Sequence, residues 1–375
     1  SPPRDYREWE DLCYRIVRHY NVEKKVGARY WVVWNEPDLK GWWKGTSDEW
    51  LDLYRYAVRG AKRADPTVKV GGPATTARVV QGTSLEYLIA LLRTCRREDL
   101  PLDFIAFHGY KKQHPREYET LIRRVREIVE REYPGLRPEY FLDEWNLWSN
   151  DKRQDNEYGA AYVAAALHYQ MRAGLAKSSY VSLNHHAPVH NRSIAYGQPG
   201  SAFGSLPMIK GNVLTPVYFV FRMYNQLGDD WLSLSIDGGD DVTPDDCLGA
   251  VATRRDNEIA VLVWHFDRER GDLSQVLDRP EFAHTRRVTI RLSRPYDALH
   301  SRRARVSRYL IDAQHSNAYY DYIVRKTPSD DGQYNINTGR LALVEETLIT
   351  LRRGQADVEV ALPNLSVTLV RLAPA

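Results

Sequence analysis

Residues 30–37 read Tyr30-Trp31-Val32-Val33-Trp34-Asn35-Glu36-Pro37, and residues 140–146 read Tyr140-Phe141-Leu142-Asp143-Glu144-Trp145-Asn146. Each is a short β-rich apolar run that ends on a Glu set among Trp and Asn. Runs of this length with polar ends read as buried strands. Three more lie nearby: Val68–Val70 before Gly71-Gly72-Pro73, Leu102–Phe107, and Tyr180–Leu183. Helical patterns flank them at Asp5–Tyr20, Ser47–Ala64, Leu85–Arg97, Arg116–Arg131, Glu157–Ala173 and Pro216–Leu227. In Ser47–Ala64, Trp50, Leu53, Tyr54, Ala57, Val58 and Ala61 recur at helical spacing, and Ser47 is the expected cap. Strands and helices in strict alternation predict parallel βαβ units.

The pattern changes after about Gly228. Cys247–Thr253 and Glu258–His265 read as a hairpin around Asp256-Asn257, and Arg287–Leu292, Val306–Ile311, Val358–Leu362 and Ser366–Leu372 are further alternating strands. This predicts an antiparallel module, most simply a β-sandwich. The expected organisation is α/β: a TIM-type barrel region over residues 1–230 and a sandwich over 231–375. A chain of 375 residues has room for both kinds of module.

Composition narrows the function. Lys and Arg number 52 against 49 Asp and Glu, interspersed, so the net charge of +3 gives no reason to expect a nucleic-acid partner. The longest apolar stretch, Ala160–Leu167, stops at His168, too short for a membrane span. Cys13, Cys95 and Cys247 are too scattered for a disulfide framework or a structural zinc site. Adjacent His185 and His186 on a strand would point to opposite faces, so a metal site shared with His190 is not expected. Gly71-Gly72-Pro73 lacks the Lys-Ser/Thr of a phosphate loop. No cofactor and no metal are expected. The 10 Trp and 24 Tyr against 8 Phe favour a surface that stacks on polar ligands. Seven of those Trp (31, 34, 42, 43, 50, 145, 148) fall in or beside the two Glu windows, with Trp31 and Trp50 expected in the core.

Glu36 and Glu144 end parallel strands, with two strands between them. Active sites of parallel barrels sit at that end. Glycoside hydrolysis needs two carboxyl groups flanking the scissile bond, one to protonate the leaving oxygen and one to attack the anomeric carbon or activate water. The pair therefore points to a glycosidase and a glycoside or oligosaccharide partner.

Trp34-Asn35-Glu36-Pro37-Asp38-Leu39 resembles the acid/base motif of the retaining glycosidase clan built on eight-fold αβ barrels. Val70-Gly71-Gly72-Pro73-Ala74, Phe104-Ile105-Ala106-Phe107-His108-Gly109-Tyr110 and Tyr309-Leu310-Ile311-Asp312-Ala313-Gln314-His315-Ser316-Asn317-Ala318-Tyr319 narrow the resemblance to glycoside hydrolase family 39, which includes β-xylosidases and α-L-iduronidases. The resemblance implies that the strands are the fourth to eighth of a (β/α)8 barrel. It implies Glu36 as general acid/base and Glu144 as the nucleophile of a retaining exo-glycosidase. It further implies Asn35 on a ring hydroxyl and His108 and Tyr110 on the pocket floor. Trp145 and Trp148 are candidate sugar platforms, and His185 a further substrate contact. Barrel strands one to three have no counterpart here, so either a preceding segment or a partner chain is expected to complete the barrel, or the fold is altered. The first residue, Ser1, suggests processing or truncation.

Two departures bear on specificity. Tyr180-Val181-Ser182-Leu183-Asn184-His185-His186-Ala187-Pro188 lacks the Trp and acidic pair of the β-xylosidases, and Asp143-Glu144 is more similar to the iduronidase version. Lys111 and Lys112 could hold a sugar carboxylate or be a solvated loop pair. An endo-acting glycanase and a non-catalytic carbohydrate-binding protein are the competing readings.

Overall fold

The computed structural model describes residues 1–110, 114–147, 152–183, 208–210, 213–236, 246–268, 285–320, 340–351 and 355–375. The chain divides into two compact units, Ser1–Lys112 with Arg116–Asn146 and Tyr169–Val181, and Gln113–Pro115 with Leu147–His168 and Ser182–Ala375.

The first unit opens with helix α1 (Tyr6–Val17), which runs into a π-helical segment, Arg18–Glu23, rather than continuing as α-helix to Tyr20. Five strands follow: β1 (Tyr30–Val32), β2 (Lys69–Thr75), β3 (Phe104–Gly109), β4 (Glu139–Trp145) and β5 (Lys177–Tyr180). They pair in sequence order, every pair parallel. Helices α2 (Ser47–Ala64), α3 (Gly82–Glu98) and α4 (Glu117–Glu132) make the connections from β1 to β4, and α5 (Glu157–Arg172), whose residues up to His168 belong to the second unit, follows β4 in the chain. This is the predicted βαβ alternation. The last strand begins three residues before the expected Tyr180, because its Lys-Ser-Ser start carries no apolar signal.

Local chemistry explains the elements. Helix α2 is capped by Thr46, not Ser47. The Thr46 side chain accepts from the Glu49 N–H, and the Glu49 carboxylate accepts from the Thr46 N–H. This capping box satisfies two orphan donors at the helix start. Trp50, Leu53, Tyr54, Val58 and Ala61 are buried along one face. All six residues of β3 are buried, as expected of a central parallel strand. Phe104 stacks on Phe141 with ring centroids 4.4 Å apart, and Ala74, Ala106 and Tyr30 complete that cluster.

In the second unit, β6 (Ile209–Lys210) and β7 (Val213–Leu214) form a two-residue ladder before α6 (Pro216–Tyr224). Strands β8 (Asp230–Trp231), β9 (Asp246–Arg255), β10 (Glu258–Asp267), β11 (Thr285–Ser293), helix α7 (Pro295–Leu299), β12 (Arg303–Ile311), β13 (Ala342–Thr350), β14 (Gln355–Pro363) and β15 (Ser366–Pro374) follow. A six-stranded sheet has the order β13-β12-β15-β10-β9-β8, and β11 pairs with β14 separately. All these pairings are antiparallel. The predicted β9–β10 hairpin turns at Asp256, which takes a left-handed φ of 51°. Ile290, Leu292, Val360 and Leu362 from the β11–β14 pair share one core cluster with Val261, Val263, Val306 and Val370 of the larger sheet.

The segment after β12 has a visible task. Glu157, at the start of α5, is 2% exposed. Asn317 Nδ2 donates to its Oε2 at 2.9 Å, and the Tyr320 hydroxyl donates to its Oε1. Burial raises this carboxyl group above its ordinary range, and the two donors oppose the rise.

Candidate active site

The C-terminal ends of β1 to β4 carry the site residues, and backbone irregularity at those ends aims them. The chain leaves β1 through Trp34 (φ 72°) and Glu36 (φ 45°), both in the left-handed region. Such conformations cost roughly 1–3 kcal/mol for non-glycine residues and persist where surrounding contacts hold them. Here the Val33 N–H donates to the Gly71 carbonyl at 3.1 Å, and the Glu36 N–H to the Ala74 carbonyl at 2.9 Å. Asp38 ties the same loop to the chain after β2. Its Oδ2 accepts from the Thr76 and Ser84 hydroxyls, each at 2.6 Å. Trp34 meets the buried Trp43 edge-on at 5.3 Å, and the Trp43 indole N–H donates to the Thr46 carbonyl.

On β3 and β4, the register shifts so that Phe107 pairs with Leu142 and His108 pairs with Glu144. Asp143 is the extra residue, a β-bulge. Bulges re-aim side chains and gather beside active sites. A second shift, between Pro73 and Thr75, makes Ala74 the extra residue on β2, with φ 52°.

The result is a compact ring of polar groups. His108 is 1% exposed. Its Nδ1 lies 2.9 Å from Glu36 Oε1 and 3.7 Å from Glu144 Oε2, and its Nε2 lies 3.9 Å from Asp143 Oδ1. The Tyr110 hydroxyl donates to Glu144 Oε1 at 2.5 Å. One oxygen of Glu36, one of Glu144 and a ring nitrogen of His108 all lie within 4.8 Å of one another. Two carboxylate oxygens and an imidazole are also a donor set that a divalent ion could take. Glu36 and Glu144 keep side-chain exposures of 15% and 30%, so both can be reached by a substrate.

The electrostatics follow from this crowding. Burial alone would lower the His108 imidazole. The Glu36 hydrogen bond and the charges of Asp143, Glu144 and Glu36 outweigh it and leave the ring above its ordinary value. Burial lifts the Asp143 carboxyl group to about 6, against the pull of His108 and backbone N–H groups. Burial and the Glu144 hydrogen bond push the Tyr110 phenol far above its ordinary value, so it stays a donor.

Of the residues expected from sequence, Glu36, Glu144, His108 and Tyr110 are brought together, and Asn35 is exposed beside Glu36. Trp145 is a correction. It is fully buried, with edge contacts to Tyr118 at 5.4 Å and Tyr180 at 5.1 Å, so its indole fills core space and offers no open face to a sugar. Trp50 is in the core as expected, while Trp31 is only half-buried. Asn146 is likewise buried, donating to the Val181 carbonyl. Trp148, Lys111, Lys112, His185, His186 and His190 lie outside the described residues. Asp38 carries no expected role from sequence beyond its place in the Glu36 motif, and Asp143 enters there only as part of the Asp143-Glu144 pair, with no contact of its own.

The chain is 24% identical over 402 aligned residues to a β-xylosidase of Geobacillus stearothermophilus, covering 99% of this chain and 71% of that protein. The fold is similar to the GH39 enzyme of Xanthomonas axonopodis pv. citri (TM-score 0.77, 21% identity, 99% of this chain and 74% of that one). It is also similar to a monomeric β-xylosidase of Caulobacter crescentus CB15 (TM-score 0.76, 19% identity, 100% and 76%). With the five parallel strands, these likenesses make the first unit a TIM-like α/β fold. The family model described as "Glycosyl hydrolases family 39" matches residues 1–329, and the chain belongs to that family.

Proposed function

We propose that this glycosidase is a retaining, exo-acting enzyme of β-xylosidase type, with Glu144 as nucleophile and Glu36 as general acid/base. The observation that carries the reading is the close approach of the two carboxyl groups, with one oxygen of each within 4.8 Å of the other. Double-displacement enzymes keep their carboxyl groups ~5–5.5 Å apart, whereas inverting enzymes leave ~6.5–9.5 Å for a water. The assignment of roles rests on contacts. Tyr110 pins one oxygen of Glu144, which suits a carboxylate that must attack along one line and later depart. Glu36 sits on the strained loop beside exposed Asn35.

In the first step Glu144 attacks the anomeric carbon while Glu36 transfers its proton to the departing glycosidic oxygen. The C–O bond breaks, the aglycone leaves as an alcohol, and a glycosyl ester forms on Glu144. In the second step Glu36, now ionised, takes a proton from water, whose oxygen attacks the same carbon. Glu144 departs as carboxylate, and Glu36 is protonated again. The C-terminal strands read as an accessory β-sandwich, supported by the core that β11 and β14 share with the larger sheet.

Two variants and three kinds of substrate test this. Glu144→Gln should abolish turnover of 4-nitrophenyl β-xyloside. Glu36→Gln should retain activity on activated aryl xylosides and lose it on unactivated ones, because a good leaving group needs no proton. Equal residual activity of the two variants on both kinds of substrate would overturn the roles. Cleavage of an α-L-iduronide but not the xyloside would overturn the substrate class.

A further inference from the structure

Asp143 is the acidic group of the cluster that this mechanism leaves unused. In a regular strand its side chain would face away from that of Glu144. The bulge on β4 makes Asp143 the unpaired residue, and both side chains come within 4 Å of His108. Asp143 Oδ1 and His108 Nε2 are each buried and make no hydrogen bond among the described residues, although they lie 3.9 Å apart. That gap exceeds a direct hydrogen bond. It is an ion-pair distance.

The other ring nitrogen faces Glu36 at 2.9 Å and Glu144 at 3.7 Å. Carboxyl groups therefore face both edges of the imidazole. A neutral imidazole has one N–H and one lone pair, so once Glu36 has given up its proton and both edges meet carboxylates, one edge would set a lone pair against an oxygen. Only a ring that shares a second proton with Asp143 offers a donor on both sides. We propose that Asp143 is a positioning residue: paired with His108 Nε2, it keeps a proton on His108 Nδ1 and fixes that N–H as a donor to Glu36 and Glu144. The inference rests on the roles assigned to those two residues. Its consequence is that Glu36, on giving up its proton, finds an N–H rather than a lone pair at Oε1.

Among the described residues, the groups that face the ring are Glu36 from the loop after β1, Asp143 and Glu144 from β4, and Tyr110 through its bond to Glu144. Of these, the Asp143 carboxylate is the acid nearest Nε2. Removing its charge must therefore weaken the hold on the ring proton.

The test is NMR on protein carrying ring-labelled histidine, with the His108 signal assigned by its loss in His108→Gln. The expected result is a wild-type ring protonated on Nδ1 at pH 7, with a titration midpoint above that of free histidine. In Asp143→Asn and Asp143→Ala the midpoint should fall by about one unit or more. A bare Nδ1 in the wild type, or a midpoint unmoved in either variant that folds, would overturn the proposal. The wild-type tautomer alone decides it if neither variant folds. The readout is the ring itself, so failure of Glu36 as the acid, read by the leaving-group comparison above, remains distinguishable.

Discussion

Replacing Tyr110 with Phe removes one hydroxyl from the site and almost no volume. That hydroxyl donates to Glu144 Oε1 at 2.5 Å. A hydrogen bond to an ionised partner is worth about 1.5–3 kcal/mol. At about 1.36 kcal/mol per decade, this corresponds to a rate effect from roughly tenfold to somewhat over a hundredfold. In the double displacement proposed above, the two chemical steps do not share the loss equally. In the second step Glu144 departs and regains its charge, so a donor on Oε1 stabilises that transition state directly. In the first step Glu144 starts charged and loses charge, so the donor mainly orients it. Tyr110→Phe should therefore slow release of the sugar more than its transfer to Glu144. With an activated aryl glycoside, kcat falls tenfold or more, KM falls with it because the glycosyl-enzyme accumulates, and rapid mixing shows a burst of phenol near one equivalent. A kcat within twofold of wild type would refute the reasoning. So would a fall in kcat/KM with unchanged KM and no burst, because the lost bond would then belong to the first step.

Further outcomes follow from the loop and the surface. Asp38→Ala removes the acceptor that holds Thr76 and Ser84 to the Glu36 loop. It should lower kcat/KM at least tenfold while circular dichroism at room temperature stays unchanged, and full activity would show that the loop holds its own shape. Glu98 accepts from Arg55 and Arg97, and those bonds, Arg55 first, hold its carboxyl at about 2 against an ordinary 4.5. A lowered value stabilises the fold above the unfolded value and is lost as pH falls from about 4.5 through 2. Glu98→Gln should therefore lower the urea midpoint slightly at pH 7, by no more than ~1 kcal/mol of stability for so exposed a pair. The difference from wild type should vanish near pH 2, and a gap that widens in acid would reverse the sign of the argument.

Much of the first unit was legible in the sequence because parallel strands buried on both faces have no polar alternation to blur them. Phe104–Gly109 and Tyr140–Trp145 are such runs, and the helices between them carry clear apolar stripes. The Glu residues were legible because an acid at the end of an apolar run is chemically out of place. Three things were not. Trp145 was read as a platform because it adjoins Glu144, yet alternation along β4 turns its indole into the core between Tyr118 and Tyr180. The turn of Asp143 toward His108 leaves no trace in sequence because a bulge is a property of two paired strands, and neither strand alone records the slip. Strand β13 was overlooked because it is an edge strand with mostly exposed or half-exposed residues, Glu345, Glu346 and Thr347 among them. It therefore lacks the apolar face that marks a strand in sequence.

Glu36 and Glu144 hold carboxyl oxygens close enough to act in succession on one carbon. The stereochemistry of the first product reads this directly. Proton NMR of the hydrolysis of an aryl glycoside, followed from the first turnover before mutarotation, should show the free sugar appearing with the anomeric configuration of the substrate. Initial release of the opposite anomer would mean a single displacement by water, and would contradict Glu144 as nucleophile.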